Sequence, residues 1–201
     1  MEKDYYKILS GNKCYLSPIL LDDVDHYVAW FNDLSVTINL SHTGEIYTLE
    51  KELKVLESFS KGYMFAILDK GTNKLIGIAG FTDISLIDRR AIYHIVIGDK
   101  NFWNKGYGLE STKQILDYGF NILNLHNIYL SVFSFNQRAI CCFERAGFRS
   151  VGKLTGYKQV AGEKFDLNFM EISSDEYVSE YVTKILDEVK QDKGGMSLKL
   201  V

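Results

Sequence analysis

A chain of 201 residues is long enough for one domain with a proper core, and 46% hydrophobic with 24% charged residues are the proportions of a soluble globular protein. A formal charge of -3 speaks against the basic face that nucleic acid selects, and no apolar run approaches the ~18 residues of a membrane span. The N-terminus MEKDYYKILSG lacks a signal-peptide core, and Cys14, Cys141 and Cys142 make neither a disulfide framework nor, without clustered histidines, a metal set, so a cytoplasmic protein without metal is expected.

Residues 14–19 read as a first strand, closed by Pro18. Asp22 or Asp23 then caps a helix whose apolar face is Val24, Tyr27, Val28 and Phe31. A polar loop over residues 34–47 leads to a second helix, begun by Thr48, with Leu49, Leu53, Leu56 and Phe59 on one side. Residues 63–68 and 74–81 form a hairpin through the turn 69–73, and the β-branched run 91–97 is the next strand after the turn 86–90. The loop Trp103-Asn104-Lys105-Gly106-Tyr107-Gly108 then opens a helical pattern marked by Leu109, Leu116, Phe120 and Leu123. Residues 128–133 are another strand, and 136–148 read as a short helix with Asn136 near its N-cap and Gly147 at its C′ position. A last strand pair lies around 149–154 and 164–172.

This order, with no Pro-rich linker and no repeat, gives an α+β domain over residues 1–173 with a mixed central sheet. Residues 174–190 place Tyr177, Val178, Tyr181, Val182, Ile185 and Val189 at helical spacing, a stripe that fits packing on the domain or on a second copy of the chain, and so leaves a homo-oligomer open. Residues 191–201 read as a loosely held end.

The stretch 91–120 carries the chemistry. A strand, a glycine loop and a helix in that order aim backbone N–H groups, unpaired at the helix start, at one spot where the helix dipole favours an anion. A phosphate or pyrophosphate is the natural guest, with Gly106 and Gly108 supplying positive φ or a close backbone approach. Two familiar phosphate loops do not match. Ser111 stands where the dinucleotide fingerprint needs its third glycine, and residues 128–133 offer no acid for the ribose; Lys105 precedes the glycine that it should follow in a kinase-type P-loop. A plain strand-turn-helix corner is the alternative.

Taken with Asn136-Gln137-Arg138-Ala139-Ile140-Cys141-Cys142-Phe143-Glu144-Arg145-Ala146-Gly147-Phe148, the loop resembles the GNAT superfamily of acyl-CoA N-acyltransferases. The resemblance is nearest to the bacterial spermidine N-acetyltransferases and ribosomal-protein N-terminal acetyltransferases; it extends over residues 89–148 and thins to a general layout over 13–88. It implies a GNAT-like fold, with a mixed, mostly antiparallel sheet splayed around the acyl-CoA site and flanked by helices. It also implies transfer of an acetyl group from acetyl-CoA to a primary amine, by direct attack in a ternary complex, the acceptor being a protein N-terminus, a polyamine or another small amine. In such a chain the loop from Trp103 to Gly108 would hold the coenzyme A pyrophosphate, and the helix with Asn136 and Phe143 would flank the pantetheine arm and thiol. The strand of Tyr93, His94, Ile95 and Ile97 would offer a backbone N–H to the oxyanion, and the loop 34–47 would cover the acceptor.

His94 is the imidazole of this strand-and-loop core, and an ordinary pKa near ~6.5 suits deprotonation of an ammonium. Spermidine-type relatives carry an amide there, and a half-buried, hydrogen-bonded histidine is the alternative. Phe143 stands where many relatives have a tyrosine to protonate the leaving thiolate, Trp103 where many have Gln or Arg, and Gly80 where spermidine enzymes carry a glutamate. The first departure keeps open a non-catalytic acyl-CoA-binding regulator; a protein-interaction domain that binds no coenzyme A is the remaining alternative. The third weakens a polyamine acceptor, for which Glu45, Glu50 and Asp83 are the candidate carboxylates.

Overall fold

The computed structural model describes residues 4–192. Eight strands make one sheet: β1 (Leu9–Ser10), β2 (Cys14–Ser17), β3 (Tyr63–Asp69), β4 (Leu75–Ser85), β5 (Arg90–Ile97), β6 (Asn127–Phe133), β7 (Arg149–Val160) and β8 (Glu163–Ser173). Their spatial order is β1-β2-β3-β4-β5-β6-β8-β7, and every neighbouring pair is antiparallel except β5 with β6. That parallel pair needs a crossover, which is α4 (Tyr107–Asn121). The remaining helices are α1 (Val24–Phe31), α2 (Leu34–Thr37), α3 (Leu49–Ser60), α5 (Gln137–Ala146) and α6 (Val182–Asp192).

Alternation along β3 divides the core between the two sheet faces: Phe65 and Ile67 join Ile115, Leu116 and Phe143 of α4 and α5, while Met64, Ala66 and Leu68 join Tyr27 of α1 and Leu56 of α3. Helix starts follow local chemistry. The Thr48 hydroxyl accepts from Lys51 N, and Asn136 accepts from Ala139 N, while Gly147 closes α5 at φ 106°.

Several boundaries differ from the sequence reading. The first long strand stops at Ser17, and a two-residue strand, β1, precedes it. Asp23 does not cap α1 with its side chain; a 3-10 turn over Leu21–Asp23 leads into the helix, and the buried carboxylate accepts from the Tyr5 hydroxyl at 3.0 Å. The loop 34–47 contains α2, started by Asp33 accepting from Ser35 N. Leu123 lies beyond the end of α4, and β7 and β8 run longer than expected.

The tail is helical only from Val182. Tyr177 and Tyr181 pack on the α4 side of the core without belonging to a helix, because Asp117 of α4 takes the N–H groups of Glu180 and Tyr181 at 2.8 and 2.6 Å. The tail is thereby seated on the domain, with the Tyr177 hydroxyl donating to Lys113 O. The expected loose end, 191–201, lies outside the described residues from 193 on.

One buried acid is strained by its setting. Glu52 of α3 is 1% exposed, and among the described residues neither carboxyl oxygen has a hydrogen-bond partner, nor does the hydroxyl of buried Tyr27. Burial pushes its pKa from 4.5 up to about 7, against a smaller opposing pull from Lys51. A folded-state pKa above the unfolded one means that the fold keeps a proton the open chain has released, so stability falls as pH rises between these values and stays lower above them. Glu52→Met is expected to be more stable than the parent by roughly 2 kcal/mol near pH 8, about 5 °C in Tm, with a gain that shrinks toward pH 5. Thermal melts of both proteins across that range check it; a gain independent of pH would remove ionisation as the cause.

Candidate functional site

β5 and β6 pair through Arg90 with Asn127, Ala91 with Ile128 and Ile92 with Tyr129, and then part. A cavity of about 530 Å³ opens between them. On the other edge of β5 the antiparallel ladder with β4 continues to Ile97, and Gly98 N donates to Ile76 O. Bonding in such a ladder alternates, so the even residues of β5 address β4 and the odd ones face the split. Trp103 agrees with this parity, since its indole N–H donates across the split to Ile97 O at 2.6 Å. The N–H groups of Ile95 and Ile97 therefore open into the cavity beyond the last β5–β6 pair.

The glycine loop forms one end of the cavity. A 3-10 turn over Lys100–Phe102 precedes it, Asn104 has φ 58°, and Gly106 at φ 87° is the N-cap of α4 with no side chain to cap the helix. Glu110 N closes the first turn on Gly106 O, so the N–H groups of Tyr107, Gly108 and Leu109 find no acceptor in the helix. Cations gather nearby. Lys13 lies so close that a Cβ on Gly106 would stand 3.4 Å from its Cε, and the Arg138 guanidinium stacks 3.8 Å over the Trp103 ring. Arg138 and Arg145 both line the cavity. Uncapped amides at a helix start with three cationic side chains fit the pyrophosphate of coenzyme A.

Of the residues singled out from sequence, Tyr93, His94, Ile95, Ile97, Trp103, Asn104, Gly106, Gly108, Asn136 and Phe143 come together on this cavity. Lys105 is exposed outside its wall, and Tyr107 turns its ring away, its hydroxyl donating to Asp69 at 2.6 Å. Val36 and Asn39 from the segment after α1, Ser131 of β6 and Arg145 of α5 also line the wall; the sequence put the first two in the loop expected to cover the acceptor and Arg145 in the helix expected to flank the pantetheine arm, but singled out none of the four.

His94 and Tyr93 have opposite surroundings. Tyr93 is buried beside Phe143 and Phe148, and its hydroxyl lies 2.9 Å from Thr112 Oγ1; since Thr112 donates to Gly108 O, Tyr93 is the donor of the pair. Burial holds that phenol protonated, its pKa well above the ordinary value. His94 shows its ring to the cleft, with protein hemming its other sides, and Nε2 lies 2.7 Å from Thr82 Oγ1. Desolvation, followed by the nearby His42, lowers its pKa from 6.5, so the ring is neutral at pH 7.

Phe143, 6% exposed, packs edge-on to both Tyr93 and Phe148 and brings no hydroxyl. Cys142 lines the cavity with its thiol pKa raised by burial. Gly80 faces His94 across the β4–β5 ladder, and a Cβ there would sit 2.1 Å from Tyr63 O. No side chain fits at that position. Among the described residues no group of His, Cys, Asp and Glu could hold a metal ion, and no helix is long and apolar enough to cross a membrane.

Residues 13–149 match the family model described as an acetyltransferase (GNAT) domain. The chain belongs to the GNAT acetyltransferases. It is an acyl-CoA-dependent N-acetyltransferase with the mixed, mostly antiparallel sheet of that family. It is 27% identical over 162 residues to the uncharacterized N-acetyltransferase p20 of Bacillus licheniformis, covering 78% of this chain and 90% of that protein. Spermidine N(1)-acetyltransferase of Vibrio cholerae is 32% identical over 113 residues, 56% of this chain and 65% of that enzyme. The crystal structure of the Vibrio cholerae spermidine N-acetyltransferase in complex with CoA and spermine superposes with a TM-score of 0.74 at 25% identity, covering 83% of this GNAT chain and 99% of that one.

Proposed function

We propose that this acetyltransferase moves an acetyl group from acetyl-CoA to a primary amine by direct attack, with His94 as the base. The observation that carries the reading is the split between β5 and β6, which puts free strand amides, uncapped helix amides and a neutral imidazole on one cavity. Tyr107, Gly108 and Leu109 bind the pyrophosphate through their N–H groups, Arg138 and Lys13 screen its charge, and Asn136 and Phe143 flank the pantetheine arm. His94 takes the proton of the attacking ammonium, so that a neutral nitrogen meets the thioester carbon. An N–H of the Ile95–Ile97 edge steadies the oxyanion, an effect worth about 3 kcal/mol in acyl transfers. The C–S bond breaks, the second proton of the attacking nitrogen is released as the amide forms, and the thiolate, of ordinary pKa roughly 8.5, leaves without a tyrosine donor and takes up that proton through water.

The acceptor that fits is a protein N-terminus or a small monoamine. Among the described residues no carboxylate lines the cavity, whereas a polyamine calls for several. Glu45, Glu50 and Asp83 are engaged at the surface with Lys51, Lys54 and Arg90. The deciding experiment is thiol release from acetyl-CoA with a panel of an alanine-initiated peptide, an amino sugar and spermidine. Turnover with the first or second supports the reading; turnover with spermidine alone overturns the acceptor assignment; binding without turnover of any amine points to a regulator.

Phe143→Tyr tests the missing acid. Since the thiolate is already a fair leaving group, restoring the hydroxyl is expected to raise kcat by about tenfold, less than the roughly hundredfold or more typical of general acids. An unchanged kcat would mean that solvent protonates the thiolate as fast as a side chain could.

A further inference from the structure

β7 leaves its register with β8 twice, between Ser150 and Gly152 and, more widely, between Leu154 and Lys158. Leu154 opposes Leu167 and Lys158 opposes Phe165, so residues 155–157 bulge against residue 166 alone. Asp166 fastens the bulge, one carboxylate oxygen accepting from Gly156 N at 2.9 Å and the other from Lys153 Nζ at 2.7 Å, with Gly156 at φ 63°. Bulges re-aim side chains. Here the result is that Lys158 crosses the Phe133 ring, 4.2 Å from its centre, and donates to Ile38 O at 2.6 Å, Leu40 O at 2.8 Å and Thr43 Oγ1 at 2.6 Å. Three donors meet three acceptors more than a hundred positions away in sequence, and no carboxylate is among them.

The segment so held is a strap. At its other end Asp33 and Ser35 receive Lys100 Nζ at 2.5 and 3.1 Å, and Lys100 begins the turn that leads into the glycine loop. Residues 33–43 are thus clasped by one lysine beside the coenzyme loop and another on the far hairpin. Between the clasps the strap contributes Val36 and Asn39 to the cavity wall, and His42, which acts on His94.

We infer that Lys158 is a positioning residue for the acceptor: by clasping the strap of residues 33–43 it sets Asn39 and His42 over the face of the sheet where His94 receives the amine. The inference rests on the acetyltransferase reading for where the amine enters, and its geometric part stands apart from it. Lys158 touches neither reacting group; its effect passes through the strap. Of the groups facing His94, Thr82 on β4 does not titrate, and His42 is the titratable one that acts on it, so the position of the strap is written in the imidazole itself.

The test uses the full chain and Lys158→Met, which keeps an apolar stem over Phe133 but donates nothing. Three measurements are read together: the NMR titration of the His42 and His94 imidazoles, amide exchange over residues 38–43, and kinetics with an alanine-initiated peptide and with spermidine as probes. Loss of three hydrogen bonds, one of them to a hydroxyl, is expected to speed exchange at 38–43 and to raise the acceptor KM, each by about tenfold or more, while kcat and the acetyl-CoA Kd change by less than about threefold. The His94 pKa is expected to rise toward its ordinary value as His42 moves off, and Lys158→Arg to restore most of each effect. If Lys158→Met does not fold, Thr43→Val removes one acceptor and is expected to move the same quantities in the same direction. Unchanged exchange and an unchanged His94 titration overturn the inference, as does a variant whose acetyl-CoA affinity falls in step with the rise in its acceptor KM. Should neither amine turn over, the function fails, and the exchange and titration still decide the clasp.

Discussion

Gly106→Glu is expected to weaken acetyl-CoA binding by about 100-fold or more, with the fold retained. Three effects act in one direction. Gly106 has φ 87°, where a side chain costs roughly 1–2 kcal/mol, and a Cβ would press on Lys13 at 3.4 Å. The new carboxylate stands at the start of α4, where it caps the N–H groups that the pyrophosphate would otherwise take. Its charge also repels the incoming anion and draws off the Lys13 cation. Because capping stabilises the helix while strain opposes it, Tm is expected to move little, which separates this outcome from unfolding. Gly106→Ala carries the strain without the charge and is expected to lose only about tenfold. Calorimetric titration of the three proteins with acetyl-CoA decides: a Glu variant within about threefold of the parent would show that the pyrophosphate binds elsewhere.

What the sequence disclosed about this loop, and what it hid, have the same cause. The glycines at 106 and 147 and the Asn136 cap are requirements of local backbone geometry, and each is met at the expected position. The hairpin of β3 and β4, the β-branched strand β5 and the helix that follows the glycine loop are local patterns, legible for the same reason. Signals failed where structure depends on partners far away. The strap is pinned by Lys100 and Lys158, Gly106 lies beside Lys13, and Trp103 holds Arg138, and none of these pairs has a spacing that a reader could test. β1 and α2 are too short to show a period. The tail was misjudged in part because Asp117 holds the chain so that Tyr177 and Tyr181 lie half-buried against α4, and an apolar stripe alone does not distinguish that from a helix face. Gly80 illustrates a different limit. As sequence it is an absent glutamate; in the fold it is a place where the Tyr63 carbonyl leaves no room for any Cβ, so a Gly80→Glu change would break the sheet before it recruited a polyamine.

His94→Ala is expected to lower kcat/KM by about 100-fold and, more tellingly, to abolish the acidic limb of the pH profile. The sign follows from the pKa. The base acts only when neutral, and burial together with His42 holds it below 6.5, so the parent keeps its rate well under neutral pH and loses it as the imidazole gains a proton. In the base-competent tautomer Nε2–H donates to Thr82 Oγ1, 2.7 Å away, and Nδ1 keeps its lone pair for the amine. His94→Gln preserves a donor to Thr82 and much of the ring's volume, yet has no proton to gain in this range; it is expected to lose as much rate as the alanine variant and to show the same flat limb. His42→Ala removes the second cause of the lowered pKa without touching Thr82, and its limb is expected to move up toward 6.5. Together the variants separate basicity from packing. If the glutamine enzyme kept the parent's rate, His94 would be a hydrogen-bonded wall of the cavity; if only the alanine enzyme failed, shape would be its role. A limb lost in both, and displaced upward when His42 is removed, makes the imidazole the group that takes the proton.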